Sequence, residues 1–177
     1  PFTNDINTFI TAITDTNLQA GGGQTPESTD ECLNTVVHAL SASGRTNPDG
    51  CQRPSGATPT LQLGDFIGFR QNAIKLVVLI TDAAPGGFCD NFDCSTTPER
   101  AHQYALDGYD NCIHINAILI GDGTGTGTCT TTCQDIMQDY ANTSCGWYEQ
   151  VSDGSSVSEI EIAILNMLYT AGACNCQ

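Results

Sequence analysis

Leu76-Val77-Val78-Leu79-Ile80 is five apolar residues with no polar alternation, followed by Thr81-Asp82-Ala83. A run of that length, rich in β-branched side chains, predicts a strand buried on both faces. Pro85-Gly86-Gly87 stops it, so Thr81 and Asp82 fall at its carboxyl end. The pattern predicts two more strands, Ile113 to Ile120 and the more mixed Gly146 to Val151. Between and around them, apolar residues recur at helical spacing. Ile6, Phe9, Ile10 and Ile13 mark a helix over Phe2 to Leu18, capped by Asn4 or Asp5. Gly21-Gly22-Gly23 breaks it, and Pro26 opens a second helix with Cys32, Leu33, Val36, Val37 and Leu40 on one face, ending near Ser43-Gly44. Phe66 to Ala73 is a turn or short helix. Further helices are expected over Pro98 to Leu106, Cys133 to Ala141 and Ser158 to Tyr169. Helices that alternate with strands in this order predict an α/β fold, a parallel sheet in three layers with helices on both faces. Residues 1–177 read as a single domain without repeats. A Pro-, Gly- and Thr-rich loop over about 46–64 and a cysteine tail at 172–177 are appended to it.

Charge and cysteine content narrow the class. Five Lys and Arg stand against 20 Asp and Glu, a net charge of −15, which excludes the basic face that nucleic acid or an anionic membrane requires. No apolar run approaches membrane-spanning length. The ten cysteines are Cys32, Cys51, Cys89, Cys94, Cys112, Cys129, Cys133, Cys145, Cys174 and Cys176. They contain no CxxC pair and are accompanied by three histidines, a poor zinc pattern. An even count in so acidic a chain predicts disulfides and a secreted, extracellular protein. Cys89 and Cys94, in one short loop, are expected to bond each other. Cys174 and Cys176 are too close to pair with each other. Asn142-Thr143-Ser144 is a glycosylation sequon with Asn142 as acceptor. The start at Pro1, without Met or apolar leader, reads as a mature, processed or excised product.

The candidate chemistry is sparse. Asp82 lies where ligands bind in open α/β sheets. Asp122, between two glycines, reads as a turn residue. Gly123 to Thr128 alternates Gly and Thr but has neither the spacing nor the Lys of a phosphate cradle. Ser28 and Ser95 have no neighbouring His. His38, His102 and His114 read as packed or surface residues. Asp90 and Asp93 alternate like Ca²⁺ ligands, but the loop lacks the Gly and closing Glu of a Ca²⁺ site. Trp147 and Tyr148 read as strand packing.

Gly21-Gly22-Gly23-Gln24-Thr25-Pro26-Glu27 opening one helix and Ile80-Thr81-Asp82-Ala83 ending the next strand form a pair of motifs. Phe2-Thr3-Asn4-Asp5 lies upstream of them. Downstream come the strand to Ile120-Gly121 and the Gly146-Trp147-Tyr148-Glu149-Gln150-Val151-Ser152-Asp153 stretch. Together these resemble the von Willebrand factor A (VWA) family, most closely its integrin β I-like branch, over nearly the whole chain. The resemblance implies a Rossmann-like domain with a metal-ion-dependent adhesion site. Glu27 and Asp82 would be metal carboxylates, with Thr25 near the family's threonine. Mg²⁺ or Ca²⁺ would be the implied cation, with an open position for a partner's carboxylate. Gln24 stands where that branch often carries Asp for a second cation, which speaks against one here. The family's Asp-x-Ser-x-Ser motif and its first three strands are absent, so the three strands here correspond to strands four to six.

An apolar strand four with no strand one beside it would be an exposed edge, which native proteins avoid. Three readings are weighed. The first is a non-enzymatic adhesion or protein-binding module, with a protein partner or neighbouring subunit completing the sheet in an oligomer or polymer. The second is a structural filament or matrix subunit whose metal site is vestigial. A third, a hydrolase holding Mg²⁺ between Asp82 and Asp122, ranks below both for want of a nucleophile and base.

Overall fold

In a computed structural model of the chain, the described residues are 26–40, 46, 50–51, 68–152 and 157–170. The expected Phe2–Leu18 helix, the Gly21–Thr25 loop with Thr25 itself, most of the 46–64 loop, and Cys174 and Cys176 lie outside them.

The described elements alternate as the pattern requires. They are α1 (Thr29–Val37), β1 (Lys75–Ala83), α2 (Thr96–Asp110), β2 (Ile113–Thr124), α3 (Cys133–Thr143), β3 (Tyr148–Val151) and α4 (Val157–Thr170). The three strands form one parallel sheet in the order β1-β2-β3. β1 pairs with β2 from Lys75 opposite Ile113 to Thr81 opposite Leu119.

Period-two alternation along β2 sorts the layers. Ile113, Ile115, Ala117 and Leu119 join Leu33 and Val37 of α1, Ala101 and Ala105 of α2, and Ile136, Met137 and Tyr140 of α3 in one core. Ile118 faces the other way and packs with Val151 and with Ala163 and Met167 of α4. Helices thus lie on both faces, as expected. Trp147 packs in the second layer and Tyr148 in the first, as strand packing predicts.

The polar residues of β2 are satisfied rather than reactive. His114 Nδ1 lies 3.0 Å from the Cys145 carbonyl. Asn116 donates to the Val77 carbonyl at 3.1 Å and accepts the Trp147 N–H at 3.0 Å, so it stitches all three strands. The entry to β3 runs against β2 so closely that a Cβ on Gly146 would collide with the carbonyl group of Ile115. Only glycine permits that approach.

Several expectations need correction. The Leu76–Ile80 strand is not buried on both faces: β1 is half-exposed along most of its length, and Val78 is 40% exposed. Among the described residues β1 has β2 as its single strand neighbour, which makes it an edge there. The cysteines also pair differently. Cys89 bonds Cys51 and Cys94 bonds Cys129, because Cys89 and Cys94 project toward different neighbouring loops. Cys145 is disulfide-bonded too. Cys112 and buried Cys133 are thiols, where disulfides were expected. Cys32 sits on the exposed side of α1, off the face expected for it.

Candidate functional site

The carboxyl end of β1 is built by a short zipper of hydrogen bonds. Glu27 lies alongside Pro85 in an isolated parallel bridge. The Glu27 N–H donates to the Ala84 carbonyl at 2.8 Å, and the Gly86 N–H donates to the Glu27 carbonyl at 2.6 Å. The Ser28 hydroxyl donates to the Gly87 carbonyl at 2.7 Å, and the Gly87 N–H donates to Asp30 Oδ1 at 3.0 Å. Pro26 and Gly86 approach so closely that a Cβ on Gly86 would overlap Pro26. The chain entering α1 is thereby fastened to the chain leaving β1.

This brings two of the expected site residues to one pole of the sheet. The Thr81 hydroxyl, buried beneath the loop, donates to Glu27 Oε2 at 3.0 Å. Asp82 follows on the exposed side, at an irregularity in the ladder: Thr81 pairs with Leu119, but Ala83 pairs with Thr124. Four residues of β2, Ile120 to Gly123, stand opposite the single residue Asp82 and bow out beside it. Bulges of this kind re-aim side chains next to sites. Thr124 closes the bow, its carbonyl accepting the Ala84 N–H at 2.7 Å. Asp122 is exposed within it and receives Gln150 Nε2 at 3.4 Å, the environment of a surface turn residue.

The Cys133 thiol, at the start of α3, packs against Gly123 of the bow. Burial pushes it up to about 12, and the charges of Asp82 and Glu27 push in the same direction. It is therefore a protonated, inert thiol, not a nucleophile.

The donors gathered here are hard oxygens: the carboxylates of Glu27 and Asp82 and the hydroxyl of Thr81. That is the donor chemistry Mg²⁺ and Ca²⁺ take. The set fits in kind but is incomplete in number. Among the described residues no group of three or more His, Cys, Asp or Glu is arranged to hold a metal ion. Glu27 and Asp82 would supply one side of a coordination shell, and the remaining ligands would come from outside the described residues.

The sequence reading missed a second cluster that lies behind the first. Asp30, fully buried, accepts the Glu31 N–H and the Gly87 N–H on Oδ1, each at 3.0 Å, and Arg100 Nε on Oδ2 at 3.0 Å. Arg100 Nη2 lies 3.0 Å from the same oxygen. Burial raises Asp30 above the usual carboxylate range, against the lowering pull of Arg100 and the two N–H groups. Glu31, also buried, accepts Asn34 Nδ2 at 3.2 Å, with the Tyr104 hydroxyl 3.5 Å away. Fully buried Tyr140 is raised well above its ordinary value, chiefly by burial. The signal in the sequence was Arg100 itself, one of five cations in an acidic chain.

The remaining candidates scatter. His38 Nε2 lies 3.1 Å from Asp107, and His102 Nδ1 lies 3.0 Å from Asp139, both on the surface between helices. Asp93 caps the turn into α2, accepting from Ser95 and Thr96, and these bonds hold it below the usual range. Asn142 is exposed near the end of α3. No helix among the described residues is long and apolar enough to cross a membrane. No protein-family model, curated protein or solved structure matches the chain. What the geometry establishes is an α/β domain with a parallel sheet and a two-carboxylate pole.

Proposed function

We propose that the chain is part of an extracellular VWA-type protein-binding module that works without catalysis. The observation that carries this reading is the hydrogen bond from Thr81 to Glu27 at the carboxyl end of β1, one residue before Asp82, in a strand with a single strand neighbour among the described residues. The two disulfides that fasten the loops around that pole support an oxidising compartment. In this reading the pole holds Mg²⁺ or Ca²⁺ as a bridge to a partner's carboxylate. A protein partner or neighbouring subunit lays a parallel strand along the open side of β1, in an oligomer or polymer. A glycan on Asn142 would project from the α3 end of the domain.

The test is thermal unfolding of the full chain in its assembled form, with and without Mg²⁺ or Mn²⁺. A cation that binds only the folded state raises the melting temperature. The rise is expected in the wild type and should vanish in Asp82→Ala. No rise in the wild type would favour the second reading, a structural filament subunit with a vestigial site, which Gln24 and the missing Asp-x-Ser-x-Ser motif also support.

A further inference from the structure

We propose that Asn142 receives its glycan only before α3 packs on β2, and that folding then closes the sequon; the inference rests on the extracellular reading above. A sequon ordinarily marks a surface loop. Here Asn142 and Thr143 end α3, and Ser144 is its C-cap. The helix splits the triplet. Asn142 is exposed, whereas Ser144 is 1% exposed.

The Ser144 hydroxyl is committed to the sheet. It accepts the Ile115 N–H at 2.9 Å and donates to the Tyr140 carbonyl at 2.7 Å. The Ile115 carbonyl lies 3.3 Å from it as well. The middle residue is held too, its Thr143 hydroxyl donating to Asp139 Oδ1 at 2.9 Å. Next along the chain, the Cys145 carbonyl lies 3.0 Å from His114 Nδ1, and the Gly146 N–H donates to the Ala141 carbonyl at 2.7 Å. On the amino side, Met137, Tyr140 and Ala141 are fully buried. Both flanks of the sequon are thus pinned. Reaching the hydroxyl requires lifting the end of α3 off β2, which exposes core and is a sub-global opening, not fraying.

The chemistry needs both ends of the triplet. Asn142 Nδ2 attacks the anomeric carbon of a lipid-diphosphate-linked oligosaccharide. A C–N bond forms, and the anomeric C–O bond breaks with its electron pair leaving on the lipid diphosphate. One amide proton passes to a base of the transferase. The transferase selects the triplet by binding the hydroxyl two residues beyond the asparagine, so Ser144 must be reachable. It is reachable on the unfolded chain and buried in the folded one. The finished glycan is compatible with the fold, because Asn142 itself is exposed. One hydroxyl therefore serves the transferase first and β2 afterwards.

The experiment offers the full, unglycosylated chain to a purified oligosaccharyltransferase with its dolichol-diphosphate-linked donor. One sample is native, with its disulfides intact. The other is reduced and carboxymethylated, so that a charged group on core residue Cys133 keeps it unfolded, as circular dichroism checks. The chain has a single Asn-x-Ser/Thr triplet, so added mass reports on Asn142 alone. The unfolded chain should be modified and the native chain should react about 100-fold or more slower, since attack on a closed site tracks the population of its open form. Comparable rates on the two samples overturn the closure while leaving Asn142 an acceptor. No transfer to either sample overturns the acceptor, and the proposal falls with it, while the disulfides and the carboxylate pole keep their own tests.

Discussion

β1 and β2 are written in nearly the same alphabet and live in different surroundings. Leu76 to Ile80 is wholly apolar, whereas Ile113 to Ile120 carries His114 and Asn116. Yet the more polar strand is the buried one. Every residue from Ile113 to Leu119 is buried, while Val78 of β1 is 40% exposed and its neighbours are half-covered. The difference is position, not composition. β2 has strands on both sides, α2 and α3 on one face and α4 on the other. β1 has β2 alone among the described residues. β2 affords its polar residues because the carbonyls and N–H groups of β1 and of the approach to β3 satisfy them. The lesson is that an apolar run alone does not rank two strands by burial: the number of neighbours packed around each does.

The largest effect should come where β2 meets the turn into β3. Gly146→Ala sets a Cβ against the backbone of Ile115, where no flexible side chain can yield. Circular dichroism should show loss of the native fold. A stable, native-like Gly146→Ala variant would mean that β2 and the entry to β3 can move apart at little cost.

Next, truncations in the two strands should separate them. Ile118→Ala, at a fully buried position, is expected to cost about 2–5 kcal/mol in urea unfolding. Val78→Ala, at the open edge, should cost under about 1 kcal/mol in the isolated chain. Equal costs would erase the contrast between the strands.

How far the sequence carried these conclusions depends on the range of the interaction involved. Each described strand and α-helix was legible, because alternation and helical spacing are local, but α1 stops at Val37, short of the expected Ser43-Gly44, and the 3-10 turn at Gly87–Cys89 was read as loop. α2 ran longer than expected, Thr96–Asp110, since Asp93 caps the turn that starts it. The pairing of Cys89 with Cys51 and of Cys94 with Cys129 was not legible, because it depends on which loops meet at the sheet's carboxyl pole. Glu27 and Asp82 were legible through two motifs. The pairing of Asp30 with Arg100 was not: an acid in the first turn of a helix ordinarily faces solvent, and its partner lies 70 residues away.

A smaller effect concerns α3, which covers β2 and not the outer half of β1. Thr132 and Asp135 form its capping box. Thr132→Ala should cost about 1 kcal/mol. The backbone N–H and hydroxyl of Thr132 hold Asp135 below the usual range. Its contribution is therefore present above roughly pH 4, the ordinary carboxylate value, and is lost as pH falls through the lowered folded value. Asp30 has the opposite sign: its raised folded value means that falling pH relieves the cost of its burial. A pH titration of unfolding free energy should therefore show Asp135→Asn converging on the wild type in acid. A constant gap down to acid would contradict the cap.

The central proposal, that a strand from elsewhere completes the side of β1 that has no strand neighbour among the described residues, is tested most directly by amide hydrogen exchange. In the isolated chain, β2 amides should exchange only through global unfolding, whereas the β1 amides directed away from β2 should exchange much faster. In the assembled protein those same amides should become protected. β1 amides as protected as β2 in the isolated chain, or still unprotected in the assembly, would contradict it.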